Sequence, residues 1–298
     1  MTAVLETAGL GKRYGRHWAL RDCTVTIPAG KIVGLVGPNG AGKTTLLQLA
    51  VGLLAPSAGT IKVLGGRPAA DQAQLSRVGF VAQDTPVYPR LTVTKHLRMG
   101  AYLNPGWDGA LAAQRIEQFG LDPGQRAGSL SGGQRAQLAL TIAIAKRPDV
   151  LILDEPVASL DPLARREFLQ GLMEAVAWNQ TTVVLSSHLI ADLERVCDYL
   201  IVLVASHVQL TGAVDDLLAS HHRLTGARRD PRTLPADQEV IEASHTDTQT
   251  TLLVRTREPI LDPAWIVKPV SLEDMVLAYL RRGRQPNPTG RPELGVLS

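Results

Sequence analysis

Ile32-Val33-Gly34-Leu35-Val36-Gly37-Pro38-Asn39-Gly40-Ala41-Gly42-Lys43-Thr44-Thr45 is the stretch whose reading decides the fold. The apolar run Ile32 to Val36 reads as a buried strand, and Thr45 to Gly52 reads as a helix. Between them Gly37 to Thr44 spells G-x-x-x-x-G-K-[ST]. Glycines at 37, 40 and 42 let the backbone close around a phosphate where side chains would block the approach. The N–H groups of the loop around Pro38, including those of Asn39, Ala41 and Thr45, and the helix N-terminus supply positive potential. Lys43 is placed to reach the β- and γ-phosphates of a nucleotide, and Thr44 to set its hydroxyl on Mg²⁺. Because strand, loop and helix arrive in register, the segment reads as a phosphate site rather than as an ordinary glycine-rich turn.

A second group of motifs narrows the chemistry. Leu130-Ser131-Gly132-Gly133-Gln134 precedes a helix-like stretch, Arg135 to Ala145, and is followed by Val150-Leu151-Ile152-Leu153-Asp154-Glu155-Pro156, an apolar strand that ends in two carboxylates. With these residues the chain resembles the ATP-binding-cassette (ABC) ATPases over roughly residues 3 to 220, on the alternating strand and helix pattern of a parallel α/β sheet. The rest of that family's motif set lies in order. Gln83 follows Val78-Gly79-Phe80-Val81, Ser159-Leu160-Asp161 follows the carboxylates, His188 follows Thr182-Val183-Val184-Leu185-Ser186-Ser187, and Tyr14 stands upstream.

The resemblance implies an α/β P-loop NTPase core with an antiparallel β subdomain and a helical insertion, using ATP and Mg²⁺. It makes Glu155 the general base toward the attacking water and His188 a partner of the γ-phosphate. Gln83 would contact Mg²⁺ or the water, Asp154 would hold Mg²⁺ through water beside Thr44, and Tyr14 would stack on adenine. Ser131, Gly132, Gly133 and Gln134 also look like an anion site at a helix N-terminus. By resemblance they serve the ATP of a second ABC ATPase, a copy or a paralogue, packed head to tail with Asp161 lining the interface. ATP would then join the two halves and hydrolysis would release them.

Composition sets the limits. The chain has 298 residues, 45% of them hydrophobic, enough for a sizeable core, and a formal charge of +3, too weak to argue for nucleic acid. The basic clusters at Arg228-Arg229 and Arg281-Arg282 read as solvated surface. Cys23 and Cys197 lie in apolar contexts without metal-ligand spacing and read as reduced core residues of a cytosolic protein. No secretory signal is legible, and the longest apolar run, Tyr199 to Ala205, falls far short of the ~20 residues that span a bilayer. In a transporter the pore would therefore be another polypeptide, an integral membrane permease, with this chain peripheral on its cytoplasmic face.

Several expectations concern organisation. Residues 1–220 read as the ATPase domain, with a short helical subdomain at about 92–148 built from Thr92 to Tyr102 and from Asp108, as N-cap, to Phe119. Strand-like runs Ala3 to Glu6 and Cys23 to Ile27 are separated by turn signals at Gly9-Leu10-Gly11 and Pro28-Ala29-Gly30. Helices are expected at Leu163 to Trp178 and Leu189 to Cys197. Residues 221–298 read as a small α+β appendage. His221 to Pro235 is a linker or loop, strands fall at Glu239 to Ser244 and Thr250 to Thr256, a helix opens at Ser271, and Gly283 to Ser298 is a disordered tail. Two departures from the family pattern stand out: Val204-Ala205-Ser206-His207-Val208 replaces a glycine-rich hairpin, and Lys95 stands where many relatives carry an acid. The short insertion and the Leu272-Glu273-Asp274-Met275 helix are similar to the export branch of the family. The rival reading, an ABC ATPase that remodels a ribosome or DNA, lacks the second cassette or long coiled coil such relatives carry. A regulatory module, with residues 221–298 binding a regulator, is compatible with the first.

Overall fold

A computed structural model describes residues 3–85, 87–177, 181–231 and 234–283. The chain opens with β1 (Ala3–Tyr14) and β2 (His17–Pro28), passes through β3 (Ile32–Val36) and α1 (Lys43–Ala50), and returns in β4 (Ala58–Val63). β2, β1 and β4 form an antiparallel sheet in that order. The turn expected at Gly9-Leu10-Gly11 is absent: β1 runs on through it as one strand. Gly9 takes φ +55 at an irregularity in the pairing and Leu10 stays fully buried, so the chain bends without leaving the sheet. The reversal comes at Gly15, φ +58, between the paired residues Tyr14 and His17.

After a short helix α2 (Gln72–Ser76) and β5 (Val78–Val81), the helical insertion follows as α3 (Val93–Leu103), α4 (Gly109–Gln118) and α5 (Gly132–Ala145). Thr92 and Asp108 cap α3 and α4, accepting from the N–H groups of Lys95 and Leu111. Arg115 of α4 is buried and ties the insertion to the core, donating to the Gly171 carbonyl at 3.0 Å.

β6 (Val150–Asp154), α6 (Pro162–Ala177), β7 (Thr182–Ser187), α7 (Ile190–Glu194), β8 (Tyr199–Val204) and β9 (His207–Ala213) complete a six-stranded sheet, order β5-β6-β7-β3-β8-β9. Every pairing is parallel except β8 with β9. β3, β6 and β7 are buried along their whole length, which is why they read as unbroken apolar runs rather than as alternation. Trp178, the expected end of α6, lies outside the described residues. α7 is shorter than expected and ends at Glu194. The hairpin without glycine is intact. Ala205 and Ser206 both take positive φ, 48° and 69°, the two-residue geometry that suits a right-twisted hairpin. Ser206 holds it against β2, its hydroxyl donating to the Trp18 carbonyl and its own carbonyl accepting from Arg21 N–H.

Beyond α8 (Val214–Ala219), His221–Ala227 is not a loop but a strand, β10, central in a second antiparallel sheet. Its neighbours are β11 (Glu239–His245), β12 (Gln249–Arg255) and β13 (Ile266–Pro269), in the order β11-β12-β10-β13. Its polar look misleads because its first polar residue is satisfied in the interior. His221 is fully buried, Nδ1 donating to the Leu217 carbonyl at 2.6 Å and Nε2 accepting from the Tyr279 hydroxyl at 2.9 Å. Leu224 packs with Leu252, Val254 and Trp265. α9 (Leu272–Arg282), capped by Ser271, buries Met275, Val276 and Tyr279 in the same core as Leu200 and Val202 of β8, so the appendage shares apolar packing with the main sheet. Gly283, expected in the tail, packs against Val204; residues 284–298 lie outside the described residues. The two arginine clusters carry ion pairs: Arg229 with Asp262, Arg281 with Glu242 and Arg282 with Glu239. Burial pushes the thiols of Cys23 and Cys197 up to about 11 and about 12, so both stay protonated at neutral pH.

Candidate functional site

Three of the expected site segments leave the carboxyl ends of three adjacent strands. The glycine-rich loop follows β3, Asp154 and Glu155 end β6, and His188 follows β7, which lies between the two. Sequence places each at a strand end; the strand order makes them neighbours. Lys43 Nζ lies 3.1 Å from Glu155 Oε1, and His188 Nδ1 lies 2.7 Å from Glu155 Oε2. Lys43 and Glu155 are both buried, whereas His188 is exposed. Lys43 also donates to the carbonyls of Gly37 at 2.7 Å and Pro38 at 3.3 Å. Burial drives the Glu155 carboxyl up, but hydrogen bonds from His188 and Lys43, with their charges, outweigh it and hold the carboxyl below its ordinary value.

The loop itself is shaped for close approach. A Cβ on Gly37 would stand 2.2 Å from the Leu203 carbonyl oxygen, and one on Gly42, at φ +107, would stand 2.3 Å from that of Ala19. Only glycine lets the loop lie so near the flanking strands. α1 begins without a side-chain cap and without an acidic residue in its first turn, so its leading N–H groups are left for a ligand. Asn39 and Gly40 are exposed at the tip, and Thr44 and Thr45 are half-buried at the start of the helix. A buried lysine, uncapped helical N–H groups and glycines at the closest approach together fit an anion of phosphate type.

Comparison with known proteins decides the family. The family model described as ABC transporter matches residues 20–158. The Nod factor export ATP-binding protein I of Burkholderia lata is 33% identical over 303 residues, covering 95% of this chain and 99% of that protein. This chain belongs to the ABC transporter family. The same-named protein of Ralstonia nicotianae is 35% identical over 211 residues, 68% of this chain and 64% of that protein. A solved structure of an ATP-binding subunit of an ABC transporter, 30% identical, superposes with a TM-score of 0.65 over 72% of this chain and 91% of that one. The chain is the ATPase subunit of an ABC transporter, with the P-loop core its sequence led us to expect.

The remaining ABC motif residues make contacts of their own. Gln83 and Ser159 line a cleft of about 540 Å³ with Arg135 of α5. Tyr14, 48% exposed at the tip of the β1–β2 hairpin, has Lys12 Nζ 5.5 Å from its ring centre. Ser131 and Gln134 form a capping box at the start of α5, the hydroxyl accepting from Gln134 N–H at 3.2 Å and the Gln134 side-chain oxygen from Ser131 N–H at 2.9 Å. Gly132 and Gly133 form the first turn, and a Cβ on Gly133 would meet that of Ala164 at 3.0 Å. Asp161 in turn caps α6, its Oδ1 accepting from the N–H groups of Leu163 and Ala164. Ser131, Gln134 and Asp161 thus each have a local hydrogen-bond partner as well as a motif position.

Sequence reading passed over Ser186. It is fully buried on β7, directly opposite Asp154 in the parallel register, and bonds both to that carboxylate and to the Glu155 N–H. The trace in sequence is one of two hydroxyls, with Ser187, that end the apolar run Val183 to Leu185.

Proposed function

We propose that this chain powers export through a separate membrane permease, hydrolysing ATP at the Lys43–Glu155–His188 cluster. The observation that carries the proposal is the junction of a buried phosphate-loop lysine with a buried carboxylate, 3.1 Å apart, at the ends of β3 and β6, the strands on either side of β7. Export rather than uptake follows from likeness to the Nod factor export proteins. Among the described residues no helix is long and apolar enough to cross a membrane, which supports a separate permease and a peripheral place on the cytoplasmic face. Lys95, exposed on α3, belongs to the insertion that would meet that permease.

The chain's own groups have clear tasks. Bound ATP would supply the γ-phosphoryl group, and Mg²⁺ would neutralise charge on its oxygens. Thr44, Asp154 and Gln83 offer the hard oxygen donors that Mg²⁺ takes, and among the described residues no group of three His, Cys, Asp or Glu forms a metal cage. A few protein oxygens completed by phosphate and water is the usual Mg²⁺ arrangement. Lys43 exchanges its Glu155 contact for a phosphate oxygen. The carboxylate then loses a cation that held its basicity down, while burial, which favours the protonated form, remains. Glu155 so becomes a better proton acceptor at the moment the phosphate is engaged. His188 keeps its Nδ1 bond to Glu155 and offers Nε2 toward the phosphate side. Gln83 links the site to the insertion, and Tyr14 offers an exposed ring for adenine. Ser131 to Gln134 and Asp161 face the ATP of a second cassette, so that the working unit is a head-to-tail dimer with a copy or a paralogue.

Glu155→Gln tests this reading: ATP binding is retained, turnover falls by roughly 10²-fold or more, and an ATP-bound dimer accumulates on gel filtration. Turnover near the wild-type rate would remove Glu155 as the base.

A further inference from the structure

Asp154 and Glu155 are consecutive in sequence but must act differently, one toward a metal ion and one toward water. Consecutive side chains on a strand point to opposite faces, so the chain must turn sharply between them to bring both carboxylates to one site. The turn is visible at Glu155, whose φ is +44, in the left-handed region that a residue with a Cβ avoids. Such a conformation costs about 1–3 kcal/mol and persists only where the surroundings hold it in place.

Ser186 supplies the hold at the backbone end. Its hydroxyl accepts from Glu155 N–H at 2.8 Å and donates to Asp154 Oδ1 at 2.8 Å. A hydroxyl offers one donor and two lone pairs, so a single oxygen can do both. The three residues are all buried, with Ser186 and Asp154 at 0% and 1% exposure, so water cannot replace either bond. Asp154 has no other hydrogen-bonded side chain among the described residues. At the far end of the Glu155 side chain, Lys43 and His188 grip the two carboxylate oxygens. The left-handed turn is therefore pinned from both sides, by Ser186 at the amide and by Lys43 and His188 at the carboxylate.

We infer that Ser186 is a positioning residue of the ATPase reaction: one buried hydroxyl orients Asp154 and fixes the strained Glu155 backbone, so that the two neighbouring carboxylates address the metal and the water together. This deepens the reading of Glu155 as the base and rests on it. Without the hydroxyl the Glu155 N–H is an orphan donor, the backbone can relax to right-handed φ, and the carboxylate swings away from Lys43 and His188. Asp154 would at the same time lose the one donor to its carboxylate found among the described residues, and with it the hold on its side-chain rotation.

The test compares Ser186→Thr with Ser186→Val in the full chain, since the two side chains have nearly the same shape and differ by the hydroxyl. Glu155→Gln is measured alongside. We expect Ser186→Thr to keep kcat within about threefold of wild type and Ser186→Val to lose roughly 10²-fold in kcat, with KM for ATP within about twofold. A second readout needs no turnover: the affinity for fluorescent methylanthraniloyl-ATP, with Mg²⁺ and with EDTA. Affinity in EDTA should match between the two variants, while the tightening produced by Mg²⁺ is at least about threefold smaller in Ser186→Val, because Asp154 has lost its orientation. If Ser186→Val does not fold, as judged by its melting curve, Ser186→Ala is set against wild type with the same expectations.

Equal kcat in the Thr and Val variants would overturn the inference, and so would an unchanged Mg²⁺ effect or a folded Thr variant as inactive as Val. If Glu155→Gln is inactive while Ser186→Val is fully active, only the role of Ser186 fails. If Glu155→Gln turns over like wild type, the reading of Glu155 as the base fails instead, and the Mg²⁺ effect on nucleotide affinity still decides whether Ser186 orients Asp154.

Discussion

Gly37→Ala should be far more damaging than Gly40→Ala, although the two glycines lie three residues apart in one loop. At Gly37 an added Cβ would stand 2.2 Å from the Leu203 carbonyl oxygen and 3.1 Å from the Ala41 Cβ. Comfortable separation is about 3.5 Å, so roughly 1 Å must open. Leu203 belongs to β8, held between β3 and β9, and its carbonyl is backbone, so the loop has to move instead. That shift carries the Gly37 carbonyl away from Lys43 Nζ, now 2.7 Å distant. A displacement of about 1 Å at a positioned site costs on the order of 10²-fold, or about 2.7 kcal/mol of nucleotide binding, with about 1–3 kcal/mol of stability lost to overpacking. At Gly40 an added Cβ meets nothing within 4 Å, and the penalty is the left-handed φ of +79, about 1–2 kcal/mol of stability with little effect on the phosphate contacts. Titration with methylanthraniloyl-ATP, together with thermal melts of both variants, separates the two effects. Binding by Gly37→Ala within threefold of wild type, or weaker binding by Gly40→Ala than by Gly37→Ala, would refute the reasoning.

Ser131→Arg places a long cation at the start of α5. It should leave ATP binding to the single subunit intact while abolishing the ATP-dependent dimer of Glu155→Gln; a dimer on gel filtration in that double variant would contradict the shared site. Burial, aided by the charges of Arg255 and His222 and opposed by the Leu217 hydrogen bond and Glu239, lowers the proton affinity of His221. The unfolded chain then binds the proton more readily, so this contribution to stability is complete above the unfolded-state value of about 6.5 and is lost as pH falls from there toward the folded-state value. The melting temperature of wild type should therefore drop between pH 7.5 and 5.5 more steeply than that of His221→Gln; parallel curves would show that His221 does not titrate in this way.

The local pattern of the chain determined a good deal. Fully buried strands announce themselves as apolar runs because both faces lie in the core, so β3, β6 and β7, with the loop and carboxylates at their ends, were legible residue by residue. One cap was legible too: Asp108 accepts from the Leu111 N–H as its short polar side chain suggested, and the helix starts read at Thr92 and Ser271 fall at the caps of α3 and α9. Signals that depend on distant partners were not. β10 looks like a polar loop until Leu217 and Tyr279 satisfy His221, and Gly9 looks like a turn until β1 finds neighbours on both sides. The same limit applies within the site. That Lys43, Glu155 and His188 meet is set by β7 lying between β3 and β6, which no spacing along the chain states. The hydroxyl of Ser186 matters only because parallel register places it opposite Asp154, 32 residues away in sequence. Hydrogen bonds and ion pairs of this kind form between groups that become neighbours only when the sheet assembles, so sequence named the chemical groups while the tertiary structure decided which of them touch.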